Sequence, residues 1–123
     1  MSLSDRILIK ENHINMAGSL EKAIEFALDS KSKFIEIEVK NLDEVKRACK
    51  FNIQQLMLDN MSNDEMKVAL EHIPKKIKSE ASGNMTMDRV KSVAEVGIDY
   101  ISIGALTHSV PNADFSLLFQ WEN

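Results

Sequence analysis

The sequence predicts an α/β fold: a partial (β/α) barrel of about five parallel strands alternating with helices. Three observations carry that prediction. Apolar runs begin near Ile7, Phe34, Gln54, Lys75 and Tyr100, at spacings of 27, 20, 21 and 25 residues, the period of successive βαβ units. Amphipathic helical patterns separate the runs. Each run hands over to a polar or glycine residue as it ends, where parallel α/β sheets place their chemistry.

The first strand, Ile7 to Ile9, runs into Lys10-Glu11-Asn12-His13, read as a loop. The first helix, about Ser19 to Leu28, carries Leu20, Ala23, Ile24, Ala27 and Leu28 on one side. The second strand, Ile35 to Val39, contains Glu36 and Glu38 on one face, because strand side chains alternate with period two. The second helix is opened by Asn41, with Glu44 three positions on to reach back to the cap's N–H. Its apolar side is Leu42, Val45, Ala48 and Cys49. The third strand, Leu56 to Leu58, ends on Asp59. Ser62 with Glu65 opens the third helix, whose apolar side is Met66, Ala69, Leu70 and Ile73. Pro74 follows and starts the connection to Ile77, Glu80 and the turn Ser82-Gly83-Asn84. Thr86 is the cap candidate for the fourth helix, with Val90, Val93 and Ala94 inward and Gly97 as its left-handed terminus. The fifth strand, Tyr100 to Ile103, runs into Gly104. The tail from Asp114 to Trp121 alternates and reads as a short strand or a helical turn.

Residues 1–123 are read as one domain, about half of the ~250 residues that a closed eight-fold barrel needs. The net charge of -4 argues against a general nucleic-acid binder. The lone Cys49 excludes an internal disulfide and fits a reducing compartment. No apolar run approaches the ~20 residues of a membrane span, and Asp5 and Arg6 interrupt any leader-like stretch. The expected location is the cytoplasm. An open half-barrel would leave apolar strand faces and two sheet edges exposed, so the chain is expected to form a homo-oligomer.

The chemistry-bearing residues gather at the strand ends. Lys10 would present a compact positive charge to a carboxylate or phosphate; otherwise it is a solvated loop lysine. His13 orients a neighbour or binds substrate, or is a loop histidine satisfied by backbone. Glu38 lies nearer the strand end than Glu36, which reads as an ion-pair partner lower in the barrel. Glu38 and Asp59, on adjacent strand ends, make a reasonable Mg²⁺ site acting through retained waters, unless Asp59 merely caps its turn. Ser82, Gly83 and Asn84 precede a helix N-terminus and would offer backbone N–H groups to an anion. Gly104, Ala105 and the following Leu106-Thr107-His108-Ser109 repeat that device. Either could be an ordinary glycine turn. Cys49 reads as core, and the histidines show no zinc spacing.

Taken together, Leu8-Ile9-Lys10-Glu11-Asn12-His13, Glu36-Ile37-Glu38-Val39 with Asn41-Leu42-Asp43-Glu44, Leu58-Asp59-Asn60-Met61, Glu80-Ala81-Ser82-Gly83-Asn84 and Gly104-Ala105-Leu106-Thr107-His108-Ser109 resemble the quinolinate phosphoribosyltransferases, also called nicotinate-nucleotide pyrophosphorylases (carboxylating). The resemblance covers essentially the whole chain. It implies Mg²⁺-dependent joining of quinolinate to phosphoribosyl pyrophosphate, giving nicotinate mononucleotide, carbon dioxide and pyrophosphate in NAD biosynthesis. It implies that Lys10 stands at the quinolinate and ribose end of the pocket. Glu38 and Asp59 would contact the ribose hydroxyls and metal. Ser82, Gly83 and Asn84 would form one phosphate turn, where some members carry a second glycine in place of Asn84. Gly104, Ala105 and His108 would form the other. The departure is at the front: family members carry an N-terminal domain and a basic segment that grip quinolinate's two carboxylates. Here only Arg6, Arg47 and Arg89 remain. The expectation is therefore a C-terminal barrel part that does not turn over quinolinate alone. The alternative is a non-catalytic phosphate-binding or assembly module derived from that enzyme.

Overall fold

The structure, a computed structural model, describes residues 6–103 and 109–113. Its elements run β1 (Arg6–Ile9), α1 (Glu11–Ala17), α2 (Leu20–Asp29), β2 (Phe34–Val39), α3 (Leu42–Ala48), β3 (Gln55–Asp59), α4 (Asn63–His72), β4 (Lys78–Ser82), α5 (Met87–Val96), β5 (Tyr100–Ser102) and β6 (Ser109–Pro111). The strands form one sheet in sequential order, β1 to β6. β1 through β5 pair in parallel, and β6 returns antiparallel to β5. Sequential parallel order with a helix before each new strand is barrel topology, here left open.

Alternation divides the sheet. Ile35, Ile37 and Val39 of β2, Leu56 and Leu58 of β3, Ala81 of β4 and Ile101 of β5 join one buried cluster. Leu20, Ile24, Val45, Met66, Val90 and Val93 reach that cluster from the helices. On β2 to β4 the other face carries Phe34, Glu36 and Glu38, Gln55, Met57 and Asp59, and Lys78, Glu80 and Ser82. This corrects the expectation of apolar strand faces left bare, because the inner face is largely polar. Among the described residues the two most exposed large apolar side chains lie instead near the β1 edge, Met16 at 86% and Phe26 at 80% exposure. A groove of about 460 Å³ runs there between β1 and the first two helices, lined by Ile7, Ile9, Met16, Ala23, Phe26 and Ala27.

Most helix starts follow the sequence signals. Ser62 Oγ accepts from Glu65 N–H at 3.1 Å and Glu65 returns to Ser62 N–H at 3.0 Å, a reciprocal cap. That bond holds the Glu65 carboxyl below its ordinary range. Thr86 Oγ1 accepts from Arg89 N–H at 3.3 Å, and Gly97 closes α5 at φ +105°. Asn41 caps α3, accepting from Glu44 N–H at 2.9 Å. Glu44 differs from expectation: it takes the N–H of Lys40, at 2.8 Å, not that of Asn41.

Three elements differ more. The stretch read as a loop after Lys10 is α1, which ends at Gly18 with φ +103° before Ser19 starts α2. Only Ile14 and Ala17 of α1 reach the core, too few for a helical period to show in the sequence. β4 begins at Lys78, not near Lys75, because Ile77 N–H closes a turn on Pro74 C=O at 3.0 Å; Ser82 is thereby the last strand residue. β6 has no counterpart in the sequence reading, and Ser109, placed there in the glycine loop, lies on it. The predicted tail element, Asp114 to Trp121, lies outside the described residues.

Candidate functional site

Parallel pairing puts the carboxyl ends of β1 to β5 on one side of the sheet. Lys10 directly follows β1 and is the N-cap of α1. Glu38 is the penultimate residue of β2. Asp59 closes β3 in register with Ser82, which closes β4. Gly83 and Asn84 follow at once. Six predicted site residues therefore share one rim: Lys10, Glu38, Asp59, Ser82, Gly83 and Asn84. Gly104, Ala105 and His108 lie outside the described residues.

The rim charges act on one another. Burial raises the Glu38 carboxyl above its ordinary range, and the like charge of Asp59 raises it further. Lys10 and Lys40 oppose that rise. Lys40, which directly follows β2, is ion-paired with Glu11 of α1. That hydrogen bond, with Glu38 and Asp59 nearby, holds its ammonium above the ordinary lysine range. The sequence reading missed Lys40, although its signal is that of Lys10: a lysine as the first residue beyond a strand. His13 takes its bland role, Nδ1 accepting from Lys10 N–H at 3.1 Å.

The turn after β4 is locked to the turn after β3. Asn60 N–H donates to Ser82 C=O at 2.9 Å, and Asn84 Nδ2 donates to Asn60 Oδ1 at 3.2 Å. Asn60 (φ +56°), Gly83 (φ +90°) and Asn84 (φ +52°) are all left-handed. A Cβ on Gly83 would stand 2.6 Å from Asn60 Oδ1, closer than van der Waals contact allows, so this glycine is needed for space as well as φ. Among the described residues, the N–H groups of Gly83, Asn84 and Met85 donate to no backbone carbonyl in these turns. They precede the N-terminus of α5, whose dipole favours an anion.

Below the rim, Gln55 Nε2 donates to Glu36 at 3.0 Å and to Glu80 at 2.8 Å. Glu36 is 7% and Glu80 2% exposed. Burial first, then the hydrogen bond and like charge of Glu80, push the Glu36 carboxyl up to about 8. Glu36 is thus bound to an amide and a second carboxyl, not to the cation expected for it; Arg6 acts on it only through its field.

No group of three or more metal-ligating His, Cys, Asp or Glu side chains occurs among the described residues. Two carboxylates at adjacent strand ends, Glu38 and Asp59, do fit Mg²⁺, which takes one or two carboxylates and completes its shell with water and substrate phosphates. A three-ligand protein cage, the alternative for a tightly held metal, is not required.

A family model described as the C-terminal domain of quinolinate phosphoribosyl transferase matches residues 1–118. The chain belongs to that family. It is 37% identical to the chloroplastic, carboxylating nicotinate-nucleotide pyrophosphorylase of Oryza sativa over 142 aligned positions, covering 99% of this chain and 38% of the relative. A probable carboxylating nicotinate-nucleotide pyrophosphorylase of Archaeoglobus fulgidus is 38% identical, covering 94% of this chain and 46% of its own. Among solved structures, NadC from Streptococcus pyogenes superposes with a TM-score of 0.78 at 38% identity, over 87% of this chain and 38% of that one. The nicotinate-nucleotide pyrophosphorylase of Ehrlichia chaffeensis gives 0.79 at 38% identity, over 87% and 39%. The chain therefore spans less than half the length of these relatives. The superposition on these solved structures agrees with the α/β sheet described above.

Proposed function

We propose that this chain forms the phosphoribosyl-pyrophosphate-handling half of a quinolinate phosphoribosyltransferase site. The reaction joins quinolinate to the ribosyl carbon of phosphoribosyl pyrophosphate and releases pyrophosphate and carbon dioxide, leaving nicotinate mononucleotide. The observation that carries the reading is the register that sets Glu38 and Asp59 at adjacent strand ends, with Asp59 level with Ser82 at the start of the Ser82–Asn84 turn.

Departure of pyrophosphate leaves positive charge on the ribose. Glu38 and Asp59 lie where carboxylates could hold the ribose hydroxyls and stabilise that charge. The same two would hold Mg²⁺, which when bound neutralises the leaving pyrophosphate. The backbone of Gly83 and Asn84 would orient a phosphate at the head of α5. Lys10 would offer a charge to a substrate carboxylate. Gly104, Ala105 and His108 remain candidates for the second phosphate contact by family resemblance.

One observation supports the second reading, a binding or assembly module without turnover of its own. Each arginine has another engagement: Arg6 lies 4.2 Å over the Phe34 ring, Arg47 is paired with Glu21 at 2.5 Å, and Arg89 bonds backbone carbonyls. A dianionic quinolinate needs several fixed cations, so we expect turnover only when further cationic residues join the site. Self-association and a cytoplasmic location complete the proposal. No helix among the described residues is long and apolar enough to cross a membrane.

The test is calorimetric titration of the chain with phosphoribosyl pyrophosphate and Mg²⁺, repeated for Asp59→Ala. Loss of a charge-assisted contact is expected to weaken binding by about tenfold or more. Equal affinity in both proteins would overturn the assignment of Asp59. Steady-state turnover of quinolinate by the unaltered chain would overturn the expectation that it is inactive alone.

A further inference from the structure

Arg89 occupies the third position of α5, three residues beyond its Thr86 cap. A cation in a helix's first turn opposes the macrodipole, so this placement calls for compensation. Its guanidinium supplies it by spanning two turns. Nη1 donates to the carbonyl of Gly83, at 3.1 Å, in the turn after β4. Nη2 donates to the carbonyl of Met61, in the turn after β3. Those turns also hold the left-handed residues Asn60, Gly83 and Asn84. Left-handed backbone at non-glycine residues persists only where surrounding contacts over-determine it. Arg89, with the Asn60–Ser82 and Asn84–Asn60 bonds, is that surrounding.

We propose that Arg89 is a positioning residue for the phosphate site. By fastening the Met61 and Gly83 carbonyls to one rigid fork, it fixes the Ser82–Asn84 turn against the β3 end that carries Asp59. It thereby sets how well the rim fits a ligand that touches both. Lysine cannot replace it in full, because an ammonium is a point charge with no planar fork. This role rests on the function proposed above, in which the turn binds phosphate and Asp59 faces the ribose and metal.

The test compares two probes in the unaltered chain, Arg89→Gln and Arg89→Lys. Phosphoribosyl pyrophosphate with Mg²⁺ spans both turns, whereas inorganic phosphate engages one. Two lost hydrogen bonds should weaken the spanning probe by about tenfold in Arg89→Gln and by about threefold in Arg89→Lys, with inorganic phosphate changed by less than about twofold. Unchanged affinity for the spanning probe would overturn the proposal. So would equal loss for both probes, which is the mark of a lost charge or a loosened fold.

Amide hydrogen exchange separates the proposal from the function beneath it. Arg89→Gln should accelerate exchange at Asn60, whose N–H joins the two turns through Ser82 C=O, while leaving the β2 and β3 amides unchanged. Uniform acceleration, or none, would overturn the fastening role. If the unaltered chain binds neither probe, the phosphate reading falls and the exchange pattern alone decides Arg89. Should Arg89→Gln fail to fold, Arg89→Lys carries both measurements.

Discussion

Replacing Glu36 with glutamine should remove a pH dependence from the stability of the fold. The Glu36 carboxyl is raised from 4.5 to about 8 by burial and by Glu80. A group raised on folding binds more protons in the folded chain than in the unfolded one. Its stabilising contribution is complete below the unfolded value and disappears as pH rises through the folded value. The window is therefore about pH 4.5 to 8. At 1.36 kcal/mol per pH unit, a rise of that size sets a ceiling of about 4–5 kcal/mol. The folded value already includes the opposing pull of Gln55 and Arg6; relaxation and water entry around a buried carboxylate lower the ceiling, so about 2 kcal/mol is expected across the window. Glutamine mimics the protonated acid: it keeps an acceptor for Gln55 and a donor for Glu80. The assay is urea unfolding at pH 5 and pH 8 for both proteins. The unaltered chain should lose about 2 kcal/mol more than Glu36→Gln between those values. Parallel losses would show that Glu36 does not hold its proton in the fold, and the reading of the Glu36–Gln55–Glu80 cluster would fail.

Other sites give sharper local tests. Gly83→Ala places a methyl group against Asn60 Oδ1 in left-handed backbone, and should lower stability by about 1–3 kcal/mol in thermal melts; a change under about 0.5 kcal/mol would contradict that close approach. Ser62→Ala removes the α4 cap and should cost about 1 kcal/mol, measured by denaturant midpoint. Asp59→Asn should lower the Glu38 titration midpoint followed by carbon-13 NMR, since the charge of Asp59 is one cause of the rise. An unmoved midpoint would mean that the two carboxylates do not sense each other.

Helices with both a cap residue and a clear apolar side were legible in the amino-acid sequence. α4 is the clearest, because Ser62, Glu65, Met66 and Ala69 are signals within a few residues of one another. α1 escaped because its short span presents little apolar surface and is ended by Gly18. β6 escaped because three residues carry no measurable period, and its position depends on β5 rather than on its own sequence. At the site, Lys10, Glu38, Asp59 and Ser82–Asn84 could be read as strand-end residues. Lys40 carried the same strand-end signal and was missed; Gln55, Asn60 and Arg89 carry none, because each matters through a group on another element.

The amino-acid order alone determined where strands end, which residues cap most helices and which charges stand at the rim, since capping, alternation and handover at strand ends act over a few neighbouring positions. The tertiary structure decided which of those residues meet. Register brings Asp59 level with Ser82, the fold buries Glu36 against Glu80, and Arg89 reaches two carbonyls from separate turns. Such pairings depend on through-space distance between strands and helices, which the spacing of letters along a chain does not contain.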